Sequence, residues 1–190
     1  HGLELQFPSV LHSAKLLSEA VQIDTTVGDN IPDTDDWAEY WDSIFSPFAD
    51  WIQTSFPHMH DTASPVRREL VNKHGLLYTW PGSDPTLKPI VLMSHQDVVP
   101  VANETLDQWI HPPFSGHIDI ENQTVWGRGS VDCKLWLVST ISAVETLVKS
   151  DFKPKRTIIL SIGHDEESDG KHGAQHLSAE LEKRFGRGGI

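Results

Sequence analysis

Thr157-Ile158-Ile159-Leu160-Ser161-Ile162 runs directly into Gly163-His164-Asp165-Glu166-Glu167. The first six residues read as a buried strand, because they form a short and nearly unbroken apolar run. Three acidic side chains then follow in a row at its carboxyl end. Carboxylates at the mouth of a sheet repel one another unless something positive sits between them. A divalent metal answers that need and leaves one carboxylate over as a base. Two other segments have the same form. Ile90-Val91-Leu92-Met93-Ser94 leads into His95-Gln96-Asp97, and Thr124-Val125-Trp126 leads into Gly127-Arg128-Gly129-Ser130-Val131-Asp132. Three strand ends that each deliver His or carboxylate side chains imply a metal-dependent hydrolase.

Working outward, residues 9–22 have helical apolar spacing, with Ser9 as the cap after Pro8. Residues 25–36 read as a polar loop. Asp35 or Asp36 caps a second helix carrying an aromatic stripe from Trp37 to Ile52, which Pro47 kinks or restarts. Residues 71–80 read as a strand, and 90–94 as a strand covered on both faces. Residues 116–120 and 124–126 pair across a turn at 121–123. Residues 135–148 form a buried helix and 173–185 a final amphipathic one. Strands alternating with helices indicate an α/β sheet that is at least partly parallel. In such sheets the sites form outside the carboxyl ends of the strands. His95, Asp97, Asp132, Glu166 and Glu167 all share that position.

The bulk properties agree. A chain of 190 residues can bury a full core. A net charge of −12 argues against nucleic acid or an anionic membrane as partner and fits a cation-binding protein. No apolar run approaches the about 20 residues of a membrane span. Cys133 is the single cysteine, so neither an intrachain disulfide nor a zinc-knuckle spacing exists. Asn103-Glu104-Thr105 and Asn122-Gln123-Thr124 are glycosylation sequons, which lean towards a glycoprotein on a secretory or vacuolar route. His1-Gly2-Leu3 reads as a processed or excised start, and no signal-peptide pattern is present.

Each candidate has a chemical role. His95 offers an imidazole nitrogen to a metal, and a carboxylate such as Asp97 would hold its other ring nitrogen. Asp132 is a candidate bridging carboxylate, with Gly127 and Gly129 allowing close backbone approach. Lys134 reads as an ion-pair partner. Glu167 can hold a metal while Glu166 takes a proton from water and passes it to the leaving amine. Asp165 reads as a supporting or surface residue, and His164 as a supporting or core histidine.

These segments together resemble the M20 family of metallopeptidases, in its carboxypeptidase S branch, which also includes secreted N-acyl amino acid hydrolases. The likeness is carried by residues 76–80, Ser94-His95-Gln96-Asp97-Val98-Val99-Pro100 within residues 89–100, residues 109–116, Trp126-Gly127-Arg128-Gly129 and Gly163-His164-Asp165-Glu166-Glu167. The resemblance implies a zinc-exopeptidase-like fold, with a mixed, largely parallel sheet flanked by helices. It implies a site for two zinc ions roughly 3.5–4 Å apart. His95 would bind one ion, Asp132 would bridge both and Glu167 would bind the other. Glu166 would be the general base and acid, and Asp97 would orient His95. Substrates would be peptides cleaved at the C-terminal residue or N-acyl amino acids.

Cys133 stands where the family commonly has a second acidic or similar polar residue, and a thiol there is a potential competing ligand. Residues 168–173 are more polar than the family pattern. The resemblance also implies that residues 1–190 are the N-terminal portion of the catalytic domain. The dimerisation domain, the C-terminal part of the catalytic domain and two further ligands would be absent, and the fold incomplete at its C-terminus. A non-catalytic metal-binding fragment is the reading of another class.

Overall fold

The computed structural model describes residues 7–28 and 37–190. Helix α1 spans Val10–Gln22, and the Ser9 side chain accepts the His12 N–H at 3.2 Å, as a capping residue should. Helix α2 spans Trp37–Ser55 and continues through Pro47. The expected cap at Asp35 or Asp36 lies outside the described residues. A single turn, α3, spans Pro57–His60. The strand expected over 71–80 is instead a hairpin of β1 (Arg67–Val71) and β2 (Gly75–Trp80). Asn72 and Lys73 both take positive φ, which turns the chain back. Strand β3 spans Ile90–His95, β4 His117–Asp119 and β5 Thr124–Trp126. Helix α4 spans Lys134–Lys149, β6 Ile158–Gly163 and α5 Ala174–Phe185. Among the described residues no helix is long and apolar enough to cross a membrane.

Four strands form one sheet in the order β1-β2-β6-β3, while β4 and β5 pair separately. The sheet is mixed and flanked by helices. Its parallel part is smaller than expected, because only β3 and β6 run parallel, whereas β1–β2 and β2–β6 are antiparallel. The β1–β2 hairpin supplies the antiparallel half.

Period-2 alternation divides the core between two faces. Leu76, Tyr78 and Trp80 of β2 and Leu160 and Ile162 of β6 pack with Leu16, Phe48, Ile52, Leu137 and Ile141 from the helices. Leu77 and Ile159 face the other way, onto Leu177 and Leu181 of α5. The two sheet edges differ. Strand β1 carries Arg67, Arg68 and Glu69, charges that blunt further pairing. Strand β3 reads from sequence as covered on both faces, yet Met93 is 72% exposed. An apolar run has the same sequence at an edge as at the centre of a sheet, so its position cannot be read from composition.

Lys134 is fully buried at the start of α4. The ion pair expected for it is absent among the described residues. Its Nζ donates instead to the carbonyls of Ala20 (2.9 Å) and Ile23 (2.6 Å) at the end of α1. Those carbonyls lack helical partners, and a cation suits the negative end of the helix. Burial pushes the ammonium down to about 7, with Asp24 opposing.

Candidate metal centre

His95 is the last residue of β3 and is buried. The segment beyond it is tied on both sides. The Thr25 hydroxyl donates to the Gln96 carbonyl at 2.7 Å, and Val98 N donates to the Thr25 carbonyl at 3.1 Å. The Gln96 amide reaches the carbonyls of His74 (2.8 Å) and Gly163 (3.2 Å). Asp97 therefore sits between two anchored neighbours and is itself fully buried.

The His95 ring is held from both ends. Its Nδ1 lies 3.0 Å from the main-chain carbonyl of Asp97 and 3.2 Å from Asp97 Oδ1. A carbonyl can only accept, so Nδ1 carries a proton. Its Nε2 then faces Asp132 Oδ1 at 3.1 Å and Glu166 Oε2 at 3.8 Å. Burial alone would lower the imidazole. Hydrogen bonding to Asp97 and Cys133 and the Asp97 charge outweigh that and push it up to about 11.

Asp132 is delivered by the turn before α4, six residues beyond β5, and its side chain is exposed. Gly129 shapes that turn. Its φ is +80°, and a Cβ there would stand 2.5 Å from Val98 Cγ1. Glu166 and Glu167 lie in a 3-10 turn, Glu166–Ser168, just past β6. Asp97 Oδ2 accepts the Glu167 N–H at 2.9 Å, so Asp97 braces both the His95 ring, through its main-chain carbonyl, and the turn that carries the glutamates, through its carboxylate. Burial, then the Asp132 charge, holds the Glu167 carboxyl above its ordinary range, with Asp97 and Glu166 adding to it and His95 opposing. A cation placed among these groups relieves that crowding.

The structure thus brings His95, Asp97, Asp132, Glu166 and Glu167 to one place. Among the described residues, two donor sets lie with their ligand atoms within 4.8 Å of one another, His95 with Glu166 and Glu167, and His95 with Asp132 and Cys133. Nitrogen and carboxylate donors of this kind suit a divalent metal. A cleft of about 310 Å³ opens beside them, lined by His95, Asp132, Glu166, Met93 and Trp136 among others.

Sequence reasoning leaves three supporting residues undefined. His164 is fully buried against Trp41 (4.9 Å between ring centroids) and Phe45 (5.4 Å), and both its ring nitrogens lack partners. Burial pushes it down to about 3, with His74 next in effect, so it is a neutral core histidine. Asp165 is fully buried and accepts main-chain N–H groups from His172 and Gly173. Cys133 makes two contacts with the main chain of His95.

Carboxypeptidase S of Saccharomyces cerevisiae is 48% identical over 178 residues, which is 94% of this chain and 30% of that protein. The N-fatty-acyl-amino acid synthase/hydrolase of Mus musculus is 41% identical over 143 residues, 75% of this chain and 27% of that one. The chain therefore spans about 30% of the length of these curated relatives. Human carnosine dipeptidase 1 shares the fold, with a TM-score of 0.67 at 20% identity over 93% of this chain and 37% of its own. The sequence pattern of peptidase family M20/M25/M40 matches residues 91–189, from within β3 through the glutamate turn and α5, and the chain belongs to that family.

Proposed function

We propose that these residues are the N-terminal portion of the catalytic domain of a zinc-dependent carboxypeptidase of the carboxypeptidase S type, which cleaves the C-terminal amide bond of peptides. The observation that carries the reading is the His95 ring, whose Nδ1 is committed to Asp97 and whose Nε2 faces Asp132 and Glu166. With Nδ1–H held there, a metal would displace the Nε2 proton that otherwise points at Asp132 and take that nitrogen's lone pair. The 48% identity to carboxypeptidase S supports the substrate class. The 41% identity to an N-fatty-acyl-amino acid synthase/hydrolase supports a second reading, hydrolysis of N-acyl amino acids by the same residues.

His95, Asp132 and Glu167 would hold the metal. A bound zinc ion supplies Lewis acidity, which polarises the scissile carbonyl and lowers the pKa of water. Glu166 Oε takes the proton from the attacking water and returns it to the departing amine nitrogen. Asp97 fixes the ring angle of His95 and, through the Glu167 N–H, the height of the glutamate turn.

The test is zinc stoichiometry together with hydrolysis of an N-blocked dipeptide and an N-acyl amino acid. Both are measured on this chain and on a form extended to the length of its relatives. The expected result is about two zinc ions and turnover in the extended form. The preferred substrate separates the two readings. Loss of both activities with zinc supplied would put the non-catalytic metal-binding reading in their place.

Asn103 and Asn122 are both exposed, which supports glycosylation and with it a secretory, vacuolar or extracellular destination. A mobility shift on enzymatic deglycosylation, lost in the Asn103→Gln/Asn122→Gln double variant, is the expected result. An unshifted native protein would remove this support.

A further inference from the structure

We infer that Cys133 is a positioning residue for His95, and that its thiol does the work of a neighbouring strand on the open side of β3. In the parallel β3–β6 pairing, alternate residues of β3 turn their main-chain groups towards β6. Ile90 N donates to the Thr157 carbonyl, and Gln96 N to the Gly163 carbonyl. The odd-numbered residues between them turn theirs away. His95 is the last of these, and among the described residues no strand lies on that side. It is nevertheless only 8% exposed, so its N–H and C=O need partners that bulk water does not supply.

Cys133 provides both. Its Sγ accepts the His95 N–H at 3.2 Å, and its S–H is directed at the His95 carbonyl at 3.5 Å. Cys133 also follows Asp132, whose Oδ1 lies 3.1 Å from His95 Nε2. The thiol therefore fixes the main chain of one proposed ligand against the turn that carries another. It stands within 4.8 Å of the ligand atoms of His95 and Asp132, yet its S–H and one sulfur lone pair are engaged by peptide groups. The consequence for metal affinity rests on the metal-site reading above. The contact itself does not.

Amide hydrogen exchange in the metal-free protein tests the contact directly. Cys133→Ala is expected to speed exchange of the His95 amide about tenfold, and Cys133→Ser to restore most of the protection. The β6 amides should be unchanged and thereby report that the fold is kept. Cobalt(II) titration of the form extended to the length of its relatives tests the consequence. Affinity should fall about tenfold in Cys133→Ala and recover in Cys133→Ser, and the wild-type cobalt spectrum should contain no thiolate-to-cobalt charge-transfer band. Unchanged His95 exchange in Cys133→Ala would overturn the inference, and so would a thiolate band in the wild type, which would make Cys133 a ligand. If wild type takes up no cobalt, the metal-site reading fails, and the exchange measurement still decides the role of Cys133.

Discussion

Replacing Glu166 by Gln is expected to lower kcat by about a hundredfold to ten-thousandfold, with KM and zinc content held within about twofold. Two adjacent glutamates stand in the same turn, and their surroundings differ. The Glu166 side chain is 59% exposed, and its Oε2 lies 3.8 Å from His95 Nε2, beyond hydrogen-bond reach. It lines the cleft beside His95 and Asp132 and is free to meet water and substrate there. Glu167 has its N–H tied to Asp97, and its carboxyl is held up by burial and by the Asp132 charge. A carboxylate under that pressure gains most from a cation, whereas an open one can cycle a proton. Glutamine keeps the size and polarity of Glu166 but cannot accept the proton. Steady-state kinetics with metal analysis on the extended form separates the roles. Loss of zinc would make Glu166 a ligand, and a raised KM at unchanged kcat would make it a substrate contact.

The strand-end residues of this site are legible in the sequence because β3 and β6 are. Both are short apolar runs, and in a sheet with a parallel pair their carboxyl ends fall together, which brings His95, Asp97, Glu166 and Glu167 to one place. Asp132 is less well described by that logic, since it arrives on the turn into α4 and not directly from a strand end. Strand β1 escapes a sequence reading because Arg67-Arg68-Glu69 has no apolar alternation, a pattern that an edge position tolerates. The edge position of β3 escapes it because nothing in an apolar run says how many neighbours it has. Cys133 and Asp165 are illegible for another reason. Their partners are main-chain groups, every residue but proline offers an N–H, and the contact leaves no mark on residue type.

Asp165→Ala is expected to cost about 2–3 kcal/mol of stability and to loosen the turn that carries both glutamates. The Asp165 carboxylate closes a ring of chain. Its Oδ2 accepts the His172 N–H at 2.6 Å, and its Oδ1 the Gly173 N–H at 2.8 Å. Its main-chain carbonyl accepts from Ser168 N at 3.1 Å and Gly170 N at 2.8 Å. Glu166 and Glu167 are enclosed between these contacts. Alanine leaves two N–H groups without an acceptor, each worth about 1–3 kcal/mol when buried. The upper end of that sum is not expected. Burial raises the Asp165 carboxyl above its ordinary range, against the two N–H groups, so its ionised form also carries a penalty that alanine removes. The sign comes from linkage, because a carboxylate with a raised folded-state pKa loses stability as pH climbs from its unfolded value through the folded one. Gly173→Ala is an independent test of the same contact, since its Cβ would stand 2.5 Å from Asp165 Oδ1 and 2.8 Å from His164 N. Both variants should lower the urea midpoint with the slope unchanged, and both should speed exchange of the Glu167 and Ser168 amides. An unchanged midpoint in Asp165→Ala would mean that the His172 and Gly173 amides find water instead, and that the glutamate turn is held by Asp97 alone.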